Sequence, residues 1–228
     1  MIVVDLSETS RREVNAILHG LAPGANEPLR ILNPRGRHAL AVGIDAPVNV
    51  EVDGHVGYYC AGMNKLATVV IHGNAGPGLA ENIMSGRVEV RGDASQAAGA
   101  TGQGGLIVIG GNASARCGIS MKGVDIVVRG SVGHMSAFMA QAGRLVVLGD
   151  AGDALGDSIY EARLYVRGGV KSLGADCVEK AMRPEHKAEL AALLEQADLG
   201  GEARPDEFRR YGSARTLYHF RIDNAGVY

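Results

Sequence analysis

Val88-Glu89-Val90-Arg91-Gly92, Ile107-Val108-Ile109-Gly110-Gly111, Ile126-Val127-Val128-Arg129-Gly130 and Leu145-Val146-Val147-Leu148-Gly149 repeat one pattern, and their closing glycines are 19 residues apart. The register extends upstream through Val50-Glu51-Val52-Asp53-Gly54 and Val69-Val70-Ile71-His72-Gly73, and downstream through Leu164-Tyr165-Val166-Arg167-Gly168. Seven glycines, at 54, 73, 92, 111, 130, 149 and 168, thus fall on one period without an insertion or deletion. Four and two residues before each stands Val, Ile or Leu, the alternation of a strand with one buried face. Seven residues after each stands only Gly or Ala (Ala61, Ala80, Gly99, Gly118, Ala137, Gly156 and Ala175), which predicts a corner where stacked backbones pass closely.

A 19-residue unit is too short for a strand-helix-strand crossover, which needs about 30 residues. It suits one coil of a parallel β-helix with two or three short strands. Coils stacked at about 4.8 Å would give a rod on the order of 33 Å long. No coil can bury its own apolar face, so the stack must fold as a unit. Left-handed hexapeptide helices use about 18 residues per coil, so the longer step and missing six-residue sub-period favour the right-handed form. The predicted fold class is therefore an all-β core, a right-handed parallel β-helix of about seven 19-residue coils.

The flanks read as caps for the open strand edges. Residues 1–45 are predicted to hold a strand over Ile2 to Leu6 and a helix opened by the capping-box spacing Ser10-Arg11-Arg12-Glu13, reaching about His19-Gly20. The β-helix is assigned to 46–178. Residues 179–228 should hold a helix starting at Pro184, stopped by Gly200-Gly201, and then an extended aromatic tail with Phe208, Tyr211, Tyr218, Phe220 and Tyr228. That tail should pack back on the rod or dock on a partner.

Composition agrees with tight turns joining short strands: glycine is 33 of 228 residues, aromatics are 4% and Trp is absent. With 23 basic and 25 acidic residues the formal net charge is −2, and no basic tract marks a nucleic-acid or membrane-surface partner. No apolar run approaches the roughly 18 residues of a membrane span, and the start is too short and acidic for a signal peptide. The expected location is the cytoplasm. Three widely spaced cysteines argue against a disulfide framework.

Candidate chemistry is sparse. Gly73-Asn74-Ala75-Gly76-Pro77-Gly78 follows a strand, but no helix follows to hold an anion, so it reads as a turn. Cys60 and Cys117 share one column three coils apart, roughly 14 Å at the expected rise, too far for a disulfide or a shared metal. His72 and His134 fall in different columns and form no ligand pair. No catalytic, cofactor-binding or metal-ligating residue is expected in this chain.

Gly99-Ala100-Thr101-Gly102, Gly111-Asn112-Ala113, Gly130-Ser131-Val132-Gly133-His134-Met135 and Leu145-Val146-Val147-Leu148-Gly149-Asp150-Ala151-Gly152 carry a resemblance to a known family. Over about residues 45–175 they resemble the glycine-patterned C-terminal β-helix domain of the glutamate synthase large subunit. In that family the domain orients a glutamine amidotransferase domain and an FMN-binding synthase domain. Neither is present here in cis, so the chain looks most like the stand-alone small β-helix subunit of N-methylglutamate synthase. The resemblance implies a non-catalytic scaffold in a hetero-oligomer, beside an amidotransferase-like subunit and an FMN-binding glutamate-synthase-like subunit. FMN and an iron–sulfur cluster would then belong to the partners. The β-helix scaffold of formylmethanofuran dehydrogenase, and of the related formyltransferase/hydrolase complex, has a similar glycine pattern and supplies the alternative.

Overall fold

A computed structural model describes residues 1–21 and 28–215. One 11-stranded sheet runs the length of the molecule. Its strands are β1 (Ile2–Asp5), β2 (Leu29–Leu32), β3 (Asn49–Asp53), β4 (Thr68–Ile71), β5 (Arg87–Val90), β6 (Leu106–Ile109), β7 (Lys122–Val128), β8 (Ala142–Val147), β9 (Arg163–Val166), β10 (Cys177–Lys180) and β11 (Arg209–Ser213). β1 to β9 stack in chain order, all parallel, and β3 to β9 pair through the 19-residue register, Val50 on Val69, Val69 on Val88 and onward to Leu145 on Leu164. The result is a β-solenoid. Stacking begins below the repeat, because β1 and β2 add two further rungs that share its core.

The inward column behaves as the alternation predicts: Val50, Val69, Val88, Ile107, Ile126, Leu145 and Leu164 are at most 1% exposed. Each coil carries one full strand rather than two or three. A second wall is a ladder of single-residue bridges through Val56, Ala75, Ala94, Ala113, Val132, Ala151 and Val170. The remaining side is built of left-handed residues. Ala97, Gly99 and Thr101 have φ of 59°, 69° and 55°, and Arg116, Gly118 and Ser120 repeat them one coil up. Alternate residues with positive φ turn successive amides toward opposite neighbours. Gly99 N donates to Leu79 O below at 2.8 Å, while Ala97 N and Thr101 N donate to Ala115 O and Ile119 O above at 3.0 and 2.9 Å.

The Gly/Ala column is therefore small for a different reason than backbone crossing. Six of its seven residues, all but Ala175, hold a left-handed φ, and a Cβ on Gly99 would meet the inward side chain of Ile126 at 2.5 Å. Close backbone passage occurs instead at the register glycines. Gly111, Gly130, Gly149 and Gly168 each donate to the carbonyl of the glycine one coil below, at 2.9–3.0 Å. A Cβ on Gly149 would lie 2.7 Å from the Gly130 backbone and 2.5 Å from Ser131 Oγ.

That hydroxyl belongs to a polar ladder directly after the glycines. His55 Nδ1, Asn74 Oδ1, Asp93 Oδ1, Asn112 Oδ1, Ser131 Oγ and Asp150 Oδ1 each accept from the main-chain N–H of the residue one coil above, at 2.7–3.0 Å. It stops at Gly169, which has no side chain to continue it.

Both ends are closed. Helix α1 (Arg11–His19) has the expected capping box, Glu13 N donating to Ser10 Oγ and Ser10 N to Glu13 Oε2. From α1, Asn15 Nδ2 donates to Ala39 O at 2.8 Å and Asn15 Oδ1 accepts from Ala41 N at 2.9 Å. One side-chain amide thus imitates the missing coil. At the other end β11 pairs antiparallel with β9, and β10 with β11.

Helix α2 (Pro184–Gln196) begins at Pro184 as expected but ends four residues before Gly200. The stop is Asp198, at φ 59°, with Asp198 N bonded to Glu195 O and Leu199 N to Leu194 O. This is a Schellman-type end in which Asp replaces glycine. The turn sends Leu199 inward. Leu190, Leu193, Leu194, Leu199 and Phe208 cover the outer residues Val108, Val127, Val146 and Tyr165, forming a second core on the outside of the sheet. Each buried leucine contributes about 1.5–3 kcal/mol. Of the aromatic tail, Phe208 and Tyr211 pack back on the rod at 4% and 2% exposure. Tyr218, Phe220 and Tyr228 lie outside the described residues.

Cys60, Cys117 and Cys177 are free and buried. Burial pushes the Cys60 and Cys117 thiols up to about 12.

Gly149→Ala should cost about 1–3 kcal/mol in urea unfolding, because the Gly130 backbone, as well as the Ser131 hydroxyl, blocks the new methyl. Gly201→Ala, with open space around the position, should cost nothing measurable. The buried thiols make stability depend on alkaline pH. Unfolded thiols ionise at about 8.5, whereas the folded ones keep their protons to about 12. The stability this difference contributes is whole below about pH 8.5 and declines as pH rises, by about 1.4 kcal/mol per unit for each thiol. Cys117→Ala should therefore be less stable than wild type at pH 7, with the gap narrowing from pH 9 to 11. A constant gap would show that the thiol is not protected.

Candidate functional site

Among the residues that could carry chemistry, the structure separates most. Cys60 and Cys117 lie inside the solenoid, while His134 is exposed on its turn. In the Gly73–Gly78 loop the amides are engaged within the stack: Ala75 N bonds Asp93 O at 2.8 Å, Gly76 N bonds Val56 O at 3.0 Å and Gly78 N bonds Gln96 O at 2.9 Å. None of these three N–H groups is left to cradle an anion.

Among the described residues, one group of metal-ligand type does come together. Glu51, Asp53 and His72 place ligand-type atoms within 4.8 Å of one another on the outer strand face. Two elements position them: Glu51 and Asp53 alternate outward on β3, and His72 lies just past β4, one repeat above Asp53. Arg30 of β2 supplies a counter-charge, its Nε donating to Asp53 Oδ2 at 2.7 Å, and His72 Nε2 is 3.5 Å from Glu51 Oε2. Comparing histidines only with one another misses this set, although 53 and 72 differ by one repeat. Its carboxylates already carry a guanidinium and an imidazole in a half-exposed setting. It can balance charge on the sheet surface, and it lines neither of the two grooves near the capped end.

The outer strand face changes character along the rod. In the lower half it mixes charged residues (Arg30, Glu51, Glu89, Arg91) with Val3 and Val70, whereas from β6 upward Val108, Val127, Val146 and Tyr165 are apolar and lie under α2. Polar contacts fix the helix there. Arg87 bonds Asp198 Oδ2 at 2.8 Å, Arg163 pairs with Glu189, and Tyr165 Oη donates to Glu189 Oε1 at 2.6 Å. Burial and this bond to a carboxylate both raise the Tyr165 phenol.

The first two complete coils expose large apolar side chains on their turns: Tyr58, Met63, Leu66 and Met84 are 45–49% exposed. Met84 is one repeat above Lys65, and its N–H donates to Asn64 O, so Met63, Leu66 and Met84 share one edge. At the base of that edge Asn64 is fully buried, its Nδ2 bonded to Ala67 O and Ser85 O and its Oδ1 without a partner. Tyr and Met are favoured at the cores of protein interfaces, and a clustered apolar edge marks a contact surface.

Two grooves lie near the capped end. A shallow one of about 540 Å³ opens where the polar ladder ends, along Ser131, Asp150, Gly169 and Lys171. The other, about 470 Å³, lies between β9, β10, β11 and the start of α2 and is lined mainly by basic residues. Among the described residues no helix is long and apolar enough to cross a membrane.

No protein-family model matches the chain. It is 67% identical over 229 aligned positions to Protein GlxC of Rhizobium meliloti (strain 1021), and the alignment spans all of both chains. With identity at that level from the N-terminal strand to the last residue, this chain belongs to the GlxC family.

Proposed function

We propose that the chain is a structural subunit of a glutamate-synthase-like complex, most like N-methylglutamate synthase, and that it carries no catalytic residue of its own. In this reading it spaces and orients an amidotransferase-like subunit and an FMN-binding subunit. The complex converts glutamate and methylamine to N-methylglutamate and ammonia in the cytoplasm. The observation that carries the reading is the uninterrupted solenoid with an apolar edge at Met63, Leu66 and Met84, its thiols shut inside. A rigid rod holds two sites at a fixed separation, so an intermediate released at one need not be captured from dilute solution at the other.

The residues present do not fit the iron–sulfur cluster of such a complex, which this reading gives to a partner. An iron–sulfur cluster needs thiolates gathered around it. Here the three thiols are buried and raised in pKa, two of them three coils apart.

Purification of the tagged chain from its native host tests the reading. The expected product is a hetero-oligomer with a flavin absorbance spectrum and an amidotransferase-like polypeptide. A metal-dependent complex that handles formyl groups, or a lone chain that turns over substrate, would overturn it. Within the complex, Met63→Asp with Met84→Asp should release the partners while the isolated chain keeps its melting temperature. Cys117→Ala should leave turnover per assembled complex within about two-fold.

A further inference from the structure

At the capped end the chain gathers positive charge against the logic of folding. Lys180 on β10 and Arg210 on β11 are direct cross-strand partners in the antiparallel ladder. Like charges placed opposite one another destabilise a sheet. Arg163 from β9, Arg183 at the N-cap of α2 and Arg215 after β11 line the same groove, as does His186. Among the described residues the lining thus holds five cations and one carboxylate, Glu161, in a chain whose formal net charge is −2.

Partial neutralisation leaves a residue of charge. Arg163 pairs with Glu189, Arg215 with Asp176, and Arg183 approaches Glu185 only to 3.9 Å. Arg210 directs its Nε to the carbonyl of Ala181 at 3.1 Å rather than to a carboxylate. Burial, then the charges of Arg163 and Arg183, hold the Arg210 guanidinium below its ordinary pKa. Burial and the Arg210 charge likewise hold His186 down. The positive end of the 13-residue helix α2 adds to the field.

We propose that this groove binds a small oxyanion of two or more charges, the phosphate group or groups of a small molecule, with Arg210, Lys180 and Arg183 as its principal contacts. Planar guanidinium forks from separate elements match phosphate oxygens, and a dianion seated between Lys180 and Arg210 converts their repulsion into two attractions. A volume of about 470 Å³ is that of a small-molecule site. Among the described residues the lining offers no apolar anchor apart from Tyr160 and Ala162, and peptide recognition depends on such anchors. The inference is independent of the scaffold reading and survives its failure.

Titration calorimetry of the full chain with inorganic pyrophosphate is the test. The expected result is saturable binding, at least ten-fold tighter than for chloride at equal ionic strength. Arg210→Gln and Lys180→Gln should each weaken it at least ten-fold. Arg91→Gln, outside the groove, should leave it within two-fold. Removing one of two repelling cations should also leave the ligand-free melting temperature of Arg210→Gln and Lys180→Gln equal to wild type or higher. That separates a ligand site from a structural contact. Pyrophosphate binding that is absent, or that Arg91→Gln weakens as much as the groove variants, overturns the proposal. So does a poly-glutamate peptide that binds through Arg210 when pyrophosphate does not.

Discussion

The close approach of one register glycine to the next sets the geometry of the stack. Gly130 and Gly149 lie so near that a methyl group on the upper one would penetrate the backbone of the lower, and the space beside them is filled by Ser131 Oγ. Bare backbone in the glycine column and a short polar side chain in the column after it therefore require each other. The glycine lets the coils close, and the Asn, Asp or Ser oxygen then reaches the N–H one storey above. Strand pairing, the left-handed wall and the inward aliphatic ladder all inherit their spacing from this turn. A 19-residue period without an insertion or deletion across seven glycines is its sequence trace, because one extra residue would put a side chain where a glycine must stand.

Much of the architecture is legible in the sequence, and the reason is repetition. Seven aligned copies expose positional preferences that one copy would hide, so strand edges, inward residues and both helix starts fall where the pattern places them. What escapes is information that lies between coils rather than along them. The polar ladder is visible in the sequence as His55, Asn74, Asp93, Asn112, Ser131 and Asp150 in one column, but its meaning depends on which N–H lies above each oxygen. The meeting of Asp53 with His72 is hidden the same way. The Gly/Ala column is crowded, as its composition predicts, but for another cause, since a left-handed φ cannot be told from a close approach by residue size alone. The end of α2 falls earlier than Gly200 because glycine is the usual left-handed stop, and here Asp198 takes that conformation first.

The functional surfaces are less legible, for a physical reason. A catalytic centre announces itself by reactive residue types, whereas a docking edge consists of ordinary Met, Leu and Tyr whose exposure is decided only in three dimensions. Met63 and Met84 give no sign in the chain that they face outward while Met121, of the same type, is fully buried. The basic groove is likewise assembled from Arg163, Lys180, Arg183, Arg210 and Arg215, far apart along the chain and joined only when β11 inserts between β9 and β10. No local run of charge could signal it.

The half-length cover that α2 lays over the strand face has a consequence for recognition. A stack of equal coils is nearly self-similar: shift it by one storey and the inner wall coincides with itself. A neighbour reading only the repeating parts could slip along the axis and find an equivalent seat. The change from unroofed storeys to storeys covered by a helix removes that degeneracy, because it distinguishes one half of the stack from the other and gives the axis a direction.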